Sequence, residues 1–468
     1  MAEYDLLIRG ATPLPEIGIA NGLIAGFEAA SARVEIDASG LIVLPGVIDA
    51  HVHFNEPGRT EWEGWATGSR AAVAGGVTMV CDMPLNSQPP VVTVEAFEAK
   101  RRAAEAQAIC DFALWGGLIP GHLDDLEPLA AAGVIGFKAF MAHSGIDDFP
   151  KVDLATLRAG MARAARLGLP VAVHAEFDRP PRDAAAGAGA DSDSLAAAGT
   201  RGGTVREYLA SRPVESECEA IRAAIDLAAE TGCALHVVHV SSGRGVSIIV
   251  EARARGVDVT TETCPHYLVF TEADMERVGA VAKCAPPFRD AAERAALIDH
   301  VRAGRVDTIG SDHSPSPWAL KAQDDFFRVW GGISGIQHLL PLLLDLPLEP
   351  ALIARLTAEQ VAARFRLPGK GRLVVGFDAD LTLVDLGVRE GVGRGEHSEH
   401  SEHSESGGRG WDVTAESLFY RHRISPYVGR HLSARVCRTI RRGQTVFDSG
   451  RITADRGGRL LLPQPHAL

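Results

Sequence analysis

The sequence predicts an α/β fold: a (β/α)8 TIM barrel with a small β-sandwich companion domain formed by both chain ends. Three observations predict it. Eight short, near-continuously apolar runs recur through the middle of the chain, and Ala-rich stretches of helical period separate them. The two ends instead carry short strand-like pieces punctuated by Gly and Pro. Continuous apolar runs suit parallel strands buried on both faces, and their alternation with helices suits a parallel barrel. A doubly wound open sheet alternates in the same way, so periodicity alone leaves closure open.

The apolar runs are Val47–His53, Val77–Met83, Phe112–Leu118, Val134–Phe140, Val171–Glu176, Ala234–Val240, Val257–Thr263 and Val306–Asp312. Helices are expected over Thr93–Ala108, Asp153–Leu167, Ser216–Glu230, Val246–Arg255 and Asp290–Ala303. In Ser216–Glu230 the residues Ile221, Ala224, Ile225 and Ala228 share one face, and several of these segments end in glycine, as a C-cap does. Residues 1–45 supply Tyr4–Arg9, Leu23–Phe27 and Arg33–Ile36, and residues 369–468 supply Asp380–Asp385 and Cys437–Ile440. Neither end can bury a core alone, so the two are expected to join beside a barrel spanning 46–368.

Two stretches read as insertions. Pro180–Gly203 is rich in Ala, Gly, Asp and Ser, the composition of a long loop. Val388–Gly410 repeats Glu-His-Ser and contains His397, His400 and His403. A His-rich tract can bind metal adventitiously, but its low complexity favours a solvated loop.

Composition narrows the function classes. The chain has 468 residues, 46% hydrophobic and 23% charged, an ordinary globular balance. Its formal charge of −13 argues against nucleic acid or an anionic membrane surface as partner. The seven cysteines (Cys81, Cys110, Cys218, Cys233, Cys264, Cys284, Cys437) are scattered and contain no CxxC pair. They read as reduced thiols. No basic region followed by an apolar core opens the chain. The most apolar stretch, Leu339–Ile353, is broken by Asp345, Glu349 and three prolines. A cytoplasmic protein with no membrane span is expected.

The chemistry is expected where the apolar runs end. His51-Val52-His53 closes the first run, and residues i and i+2 of an extended segment point to the same side. A lone His-x-His is weak evidence. Other runs, however, end in Phe137-Lys138, Val173-His174, His236-Val237-Val238-His239 and Ser311-Asp312-His313. In parallel barrels the active site lies at the C-terminal strand ends. Each residue has a plain structural alternative: His174 and His239 as bonded core histidines, Asp312 as a turn cap before Pro315. His236 sits earlier in its run and reads as core. Lys138 resists such an explanation, because a buried cation is costly unless paired or chemically changed. Together the set outweighs the alternatives.

In order and context His51, His53, Lys138, His174, His239 and Asp312 resemble the ligand set of the cyclic amidohydrolases, a family of allantoinases, dihydroorotases and hydantoinases. The resemblance covers nearly the whole chain, with Gly376-Phe377-Asp378-Ala379-Asp380-Leu381 similar to the family's returning β segment. It implies two divalent ions (zinc first, with cobalt, manganese or iron also compatible) and carboxylation of Lys138 by carbon dioxide. His51, His53 and Asp312 would hold one ion, His174 and His239 the other, and the carboxylated lysine would bridge them. It further implies a metal-bridging hydroxide as nucleophile and Asp312 as the catalytic proton carrier.

Within the family the landmarks are most similar to the allantoinase branch. They include Glu56-Pro57-Gly58-Arg59, Trp62-Glu63-Gly64, Asp82-Met83-Pro84-Leu85-Asn86, Trp330-Gly331-Gly332-Ile333 and Ser425-Pro426-Tyr427-Val428-Gly429-Arg430. That branch opens the ring of allantoin to give allantoate in purine breakdown. Substrate contacts are then expected from Asn86, from the backbone at Cys284, and from His143, which stands where hydantoinases place a tyrosine. A further substrate contact is expected from Asn55, which stands where dihydroorotases place a carboxylate-gripping arginine. A neutral cyclic ureide is therefore the expected small-molecule partner, bound by a homo-oligomer, a homotetramer by analogy. The alternatives are a hydantoinase or dihydropyrimidinase, and a metal-free scaffold protein on the same fold.

Overall fold

The structure, a computed structural model, describes residues 4–178, 203–387 and 410–465. Apart from Gly203 and Gly410, both expected insertions lie outside the described residues. Eight core strands follow in chain order: Val47–Val52, Val77–Asp82, Asp111–Leu114 continued by Gly116–Gly117, Phe137–Phe140, Val171–His174, Leu235–Val237, Val259–Thr263 and Thr308–Ile309. They are called strands one to eight below.

All pairings between successive strands are parallel. Strand three joins two arcs: Asp111–Leu114 pairs with strand two, and Gly116–Gly117 pairs with strand four. At the far edges Val52 and His313 form a parallel bridge, the His53 amide donates to the His313 carbonyl at 2.8 Å, and the Ser311 amide donates to Asp49 Oδ1 at 3.0 Å.

The strands are apolar on both faces because both are covered. Ile48, Met79, Cys81, Ala113 and Ala172 form one buried cluster. Val47, Val80, Phe112, Leu114, Val171 and Val173 form another with the helix residues Ile221, Ala224 and Ile225. Those three helix residues lie on the face expected from sequence, in the helix Val214–Thr231. Helices also run over Val94–Gln107, Leu154–Leu167, Gly243–Ala254 and Ala291–Arg302. Thr93, Asp153, Ser242 and Asp290 cap their first turns. Gly168 and Gly232 end two helices at φ 65° and 68°, where a side chain would be strained.

Sequence reasoning missed the helix Trp65–Ala74, whose residues include Thr67 and Gly68. The glycine has a packing reason: a Cβ there would meet the Phe54 ring at 2.6 Å. Several strands are also shorter than expected. Strand six stops at Val237 and strand eight at Ile309, and beyond these ends His239 and Asp312 adopt left-handed backbone, φ 40° and 47°, which a continued strand would not allow.

The chain ends build three further sheets among the described residues, the smallest a pair of Trp411–Asp412 and His431–Leu432. Tyr4–Arg9 pairs with Glu16–Ala20 and with Ala32–Asp37, and Leu23–Gly26 extends the same sheet. In the second sheet Ile42–Pro45, from the N-terminal part, pairs antiparallel with Leu381–Asp385, which pairs with Arg435–Arg441. Ile8, Ile17, Ile24, Val43, Leu381 and Ile440 share one apolar cluster. Among the described residues no helix is long and apolar enough to cross a membrane, and all seven cysteines are free thiols.

Candidate active site

The C-terminal strand ends bring His51, His53, His174, His239 and Asp312 to the wall of a single cleft. His51 lies on strand one, and His53 follows it on the same side. Their Nε2 atoms stand 3.3 and 3.5 Å from Asp312 Oδ1. On the other side His174 Nδ1 and His239 Nε2 face each other at 3.0 Å. Two imidazole nitrogens bound to one tetrahedral ion at 2.0–2.1 Å would stand roughly 3.3 Å apart. The His51 and His239 ring centroids are 5.3 Å apart, so the two groups adjoin.

Lys138, on strand four, is fully buried, and its Nζ has no hydrogen-bond partner. The ammonium sits 5.1 Å from the centroid of the Phe140 ring. An orphaned buried cation is unfavourable by several kcal/mol, so the neutral amine is favoured. Burial accordingly pulls the Lys138 pKa down to about 8, against the opposing pull of Asp312 and Glu262. Carbon dioxide adds only to the neutral amine. The donor set and the orphaned lysine therefore both fit a two-ion centre with a carboxylated lysine.

Three carboxylates that sequence reasoning did not single out fix this geometry. Glu262, on strand seven, takes His51 Nδ1 at 2.7 Å and the His239 amide at 3.3 Å. Glu176 takes His174 Nε2 at 3.0 Å and is itself held by Arg212 at 2.6 Å. Burial alone would raise the Glu176 carboxyl, but Arg212 and His174 hold it down to about 2. Asp49 accepts from the amides of His51 and Ser311, tying strand one to the segment after strand eight. With one imidazole nitrogen anchored on a carboxylate, the other is left to bind an ion. Glu176 was within reach of sequence reasoning, two residues beyond His174 on an extended segment.

The other expected residues divide. Asn86, His143 and Cys284 line the cleft. The Asn86 amide lies 3.5 Å from Ser314 Oγ and leaves its Oδ1 unpartnered. His143 is exposed, with Nδ1 accepting from the Gly145 amide. Asn55 does not line the cleft. It is buried, donates to the Pro315 carbonyl at 3.3 Å, and adopts φ 66°, a conformation asparagine tolerates. His236 lies deeper in strand six, against Thr260 Oγ1 at 2.9 Å, as a core residue.

A second acidic group, Asp111, Asp378 and Asp380, already holds a cation of the chain. Lys370 Nζ sits 2.6, 2.8 and 2.5 Å from its three carboxylates. Asp111 opens strand three, so this cluster lies at the N-terminal strand ends, where a stabilising role is the rule.

Comparison with known proteins shows what the chain is similar to. Residues 42–446 match the amidohydrolase family. The chain is 51% identical to an allantoinase of Rubrobacter xylanophilus, covering 99% of both chains. It is 48% identical to one of Deinococcus radiodurans, again covering 99% of each. Among solved structures, the L-hydantoinase (dihydropyrimidinase) of Arthrobacter aurescens superposes with a TM-score of 0.87 at 31% identity, covering 98% of this chain and 100% of that one. The dihydropyrimidinase of Brevibacillus agri superposes with a TM-score of 0.82 at 26% identity, covering 100% and 99%.

Proposed function

The chain belongs to the amidohydrolase family, and from that premise we propose that it hydrolyses the ring amide of allantoin to allantoate. The observation that carries the choice of substrate is the likeness to allantoinases along the full chain. The hydantoinase-type structures share the fold at lower identity. A scaffold role has nothing to favour it, since the four histidines and Asp312 line one cleft and Lys138 is buried beside Phe140 of its wall.

In this reading His51, His53 and Asp312 hold one divalent ion, and His174 and His239 hold a second. Carboxylated Lys138 would supply a further anionic ligand to the centre. Zinc is the first expectation, and cobalt, manganese or iron suit the same donors. Bound there, such ions polarise the ring carbonyl and lower the pKa of a water molecule. The chain's own groups orient the substrate. Asn86 offers a carboxamide that both donates and accepts, the backbone near Cys284 borders the ring, and His143 reaches the ureido arm or the developing oxyanion. Asp312 carries a proton from water to the departing ring nitrogen.

The architectural part of the proposal is a closed (β/α)8 barrel over 46–368 and a two-sheet sandwich from 1–45 and 369–468. The Val52–His313 bridge supports closure, and the cluster shared by Ile8 and Leu381 supports the sandwich. A cytoplasmic homotetramer belongs to the same reading, and light scattering reads its copy number.

Two results test the function. Metal-loaded protein is given allantoin, hydantoin, dihydrouracil and dihydroorotate, and allantoin is expected to have the highest kcat/KM. His143→Ala should lower that value for allantoin by about tenfold, the scale of one lost hydrogen bond in the transition state. A clear preference for dihydroorotate or dihydrouracil would remove the substrate assignment and leave the family intact. Separately, Glu176→Gln should weaken metal affinity by about 10–100-fold, because His174 loses its anchored tautomer. Chelator competition measures this, and unchanged affinity would mean that His174 needs no such anchor.

A further inference from the structure

Only six of the chain's 47 basic residues are lysines, and five of the six are buried. A chain that builds nearly all its cations from arginine keeps lysine where a compact, three-donor head is required. Three of the five are accounted for. Lys100 is paired with Asp82, Lys370 with Asp111 and Asp380, and Lys138 belongs to the centre described above. Lys283 and Lys321 remain, and among the described residues neither ammonium lies within ion-pair distance of a carboxylate.

Their acceptors are five carbonyls of one seven-residue stretch. Lys283 Nζ donates to the carbonyls of Phe326 at 2.7 Å, Phe327 at 2.9 Å and Val329 at 2.6 Å. That uses all three of its N–H groups. Lys321 Nζ donates to the carbonyls of Trp330 at 2.8 Å and Gly332 at 2.7 Å. The Gly332 amide in turn donates to the Lys283 carbonyl at 2.8 Å. Lys283 also sits 4.7 Å from the centroid of the Tyr208 ring, whose hydroxyl donates to the Cys284 carbonyl at 2.8 Å.

The far end of this stretch is part of the cleft: Trp330, Gly331 and Gly332 line one wall, with Cys284 and Ala285 beside them. With the flanking carbonyls turned toward Lys321, Gly331 makes no backbone hydrogen bond among the described residues. One donor and one acceptor thus stay free at the cleft edge, the pairing a cyclic ureide presents. We propose that Lys283 and Lys321 are positioning residues, which hold residues 326–332 in one conformation so that this backbone edge meets the ring ready-made. Preorganisation of this kind spares the bound state the entropy of ordering a loop.

The inference rests on the cleft being the ring-substrate site, so the parent protein is first run on the four-ring panel, and its preferred ring is used throughout. If that ring is not allantoin, the substrate assignment falls and the present proposal is still tested. Lys321→Met should raise KM about tenfold while kcat stays within about threefold and metal content is unchanged. Lys321→Gln, which keeps two N–H donors, should recover most of that loss, whereas a purely structural role would not separate the two variants by KM. An unchanged KM in Lys321→Met, or equal KM in the Met and Gln variants, overturns the proposal. Should the variants fail to fold, hydrogen exchange on the unaltered protein decides. The Gly332 amide should be protected before substrate or product is added; protection acquired only with ligand overturns the proposal.

Discussion

Lys138→Ala should lower turnover on the order of 10³-fold or more, the scale of losing a group that organises charge around the transition state. A short carboxylic acid such as acetate or propionate should restore part of it. The expectation follows from where Lys138 sits. Its Nζ is buried and unpartnered, within the electrostatic reach of Asp312 and Glu262. As an ammonium it would repel any cation that His51, His53, His174 and His239 gather. As a carbamate it would supply the missing negative charge. Alanine leaves a cavity at that point, and a small carboxylate can enter it from the cleft. Metal content should fall together with activity, and undiminished turnover in Lys138→Ala would show that the bridge is misassigned.

A pH dependence accompanies this. Addition of carbon dioxide requires the free amine, and the amine of Lys138 is released above a pKa of about 8. Protein stripped of metal and carbon dioxide should therefore regain activity faster as pH rises through about 8, at fixed dissolved carbon dioxide, and then level off. Regain that slows over the same interval would contradict the carbamate.

The candidate donors stand out in the sequence because each lies in or near the end of an apolar run, where His, Lys or Asp has few structural reasons to be. His51, His174 and Lys138 are legible in this way; the structure brings His51 and His174 to one cleft with His53, His239 and Asp312, and Lys138 lies buried on strand four with its Nζ over Phe140 of the cleft wall. Their supports were hidden for a physical reason. Glu262 meets His51 across 211 residues of chain. Strand seven ends in Thr-Glu-Thr, which by itself reads as an ordinary polar strand end. Asp49 looks like part of an apolar run until its carboxylate is seen bonded to Ser311. The left-handed backbone at His239 and Asp312 is equally invisible to a periodicity reading, so the expected strands ran too long. Such conformations each cost about 1–3 kcal/mol and persist where surrounding contacts impose them. Their presence at two adjoining donors is itself a mark of the site. Asn55 was singled out for its position beside His53, and its left-handed φ gives the loop a conformational reason for asparagine that periodicity does not reveal.

Asp312→Asn should be the second most damaging change, lowering kcat by roughly 10³-fold, within the range set by loss of a general base. Asp312 is the one acidic residue among the described residues that line the cleft, so the transfer of a proton to the leaving ring nitrogen has no other carboxylate to use. Burial would raise its pKa, but His51 and His53 hold the carboxyl down to about 2, so it stays ionised across the working range. An asparagine keeps the shape and one oxygen able to face an ion, but its amide accepts no proton. Two effects can then be told apart. Asp312→Asn should keep much of its metal while losing turnover, and Asp312→Ala should lose both. KM in the asparagine variant should stay near the parent value, because in the proposed reading orientation falls to Asn86 and the backbone wall near Cys284. Turnover of Asp312→Asn within tenfold of the parent would require another proton carrier, and His143, exposed at the cleft edge, would be the next group to replace.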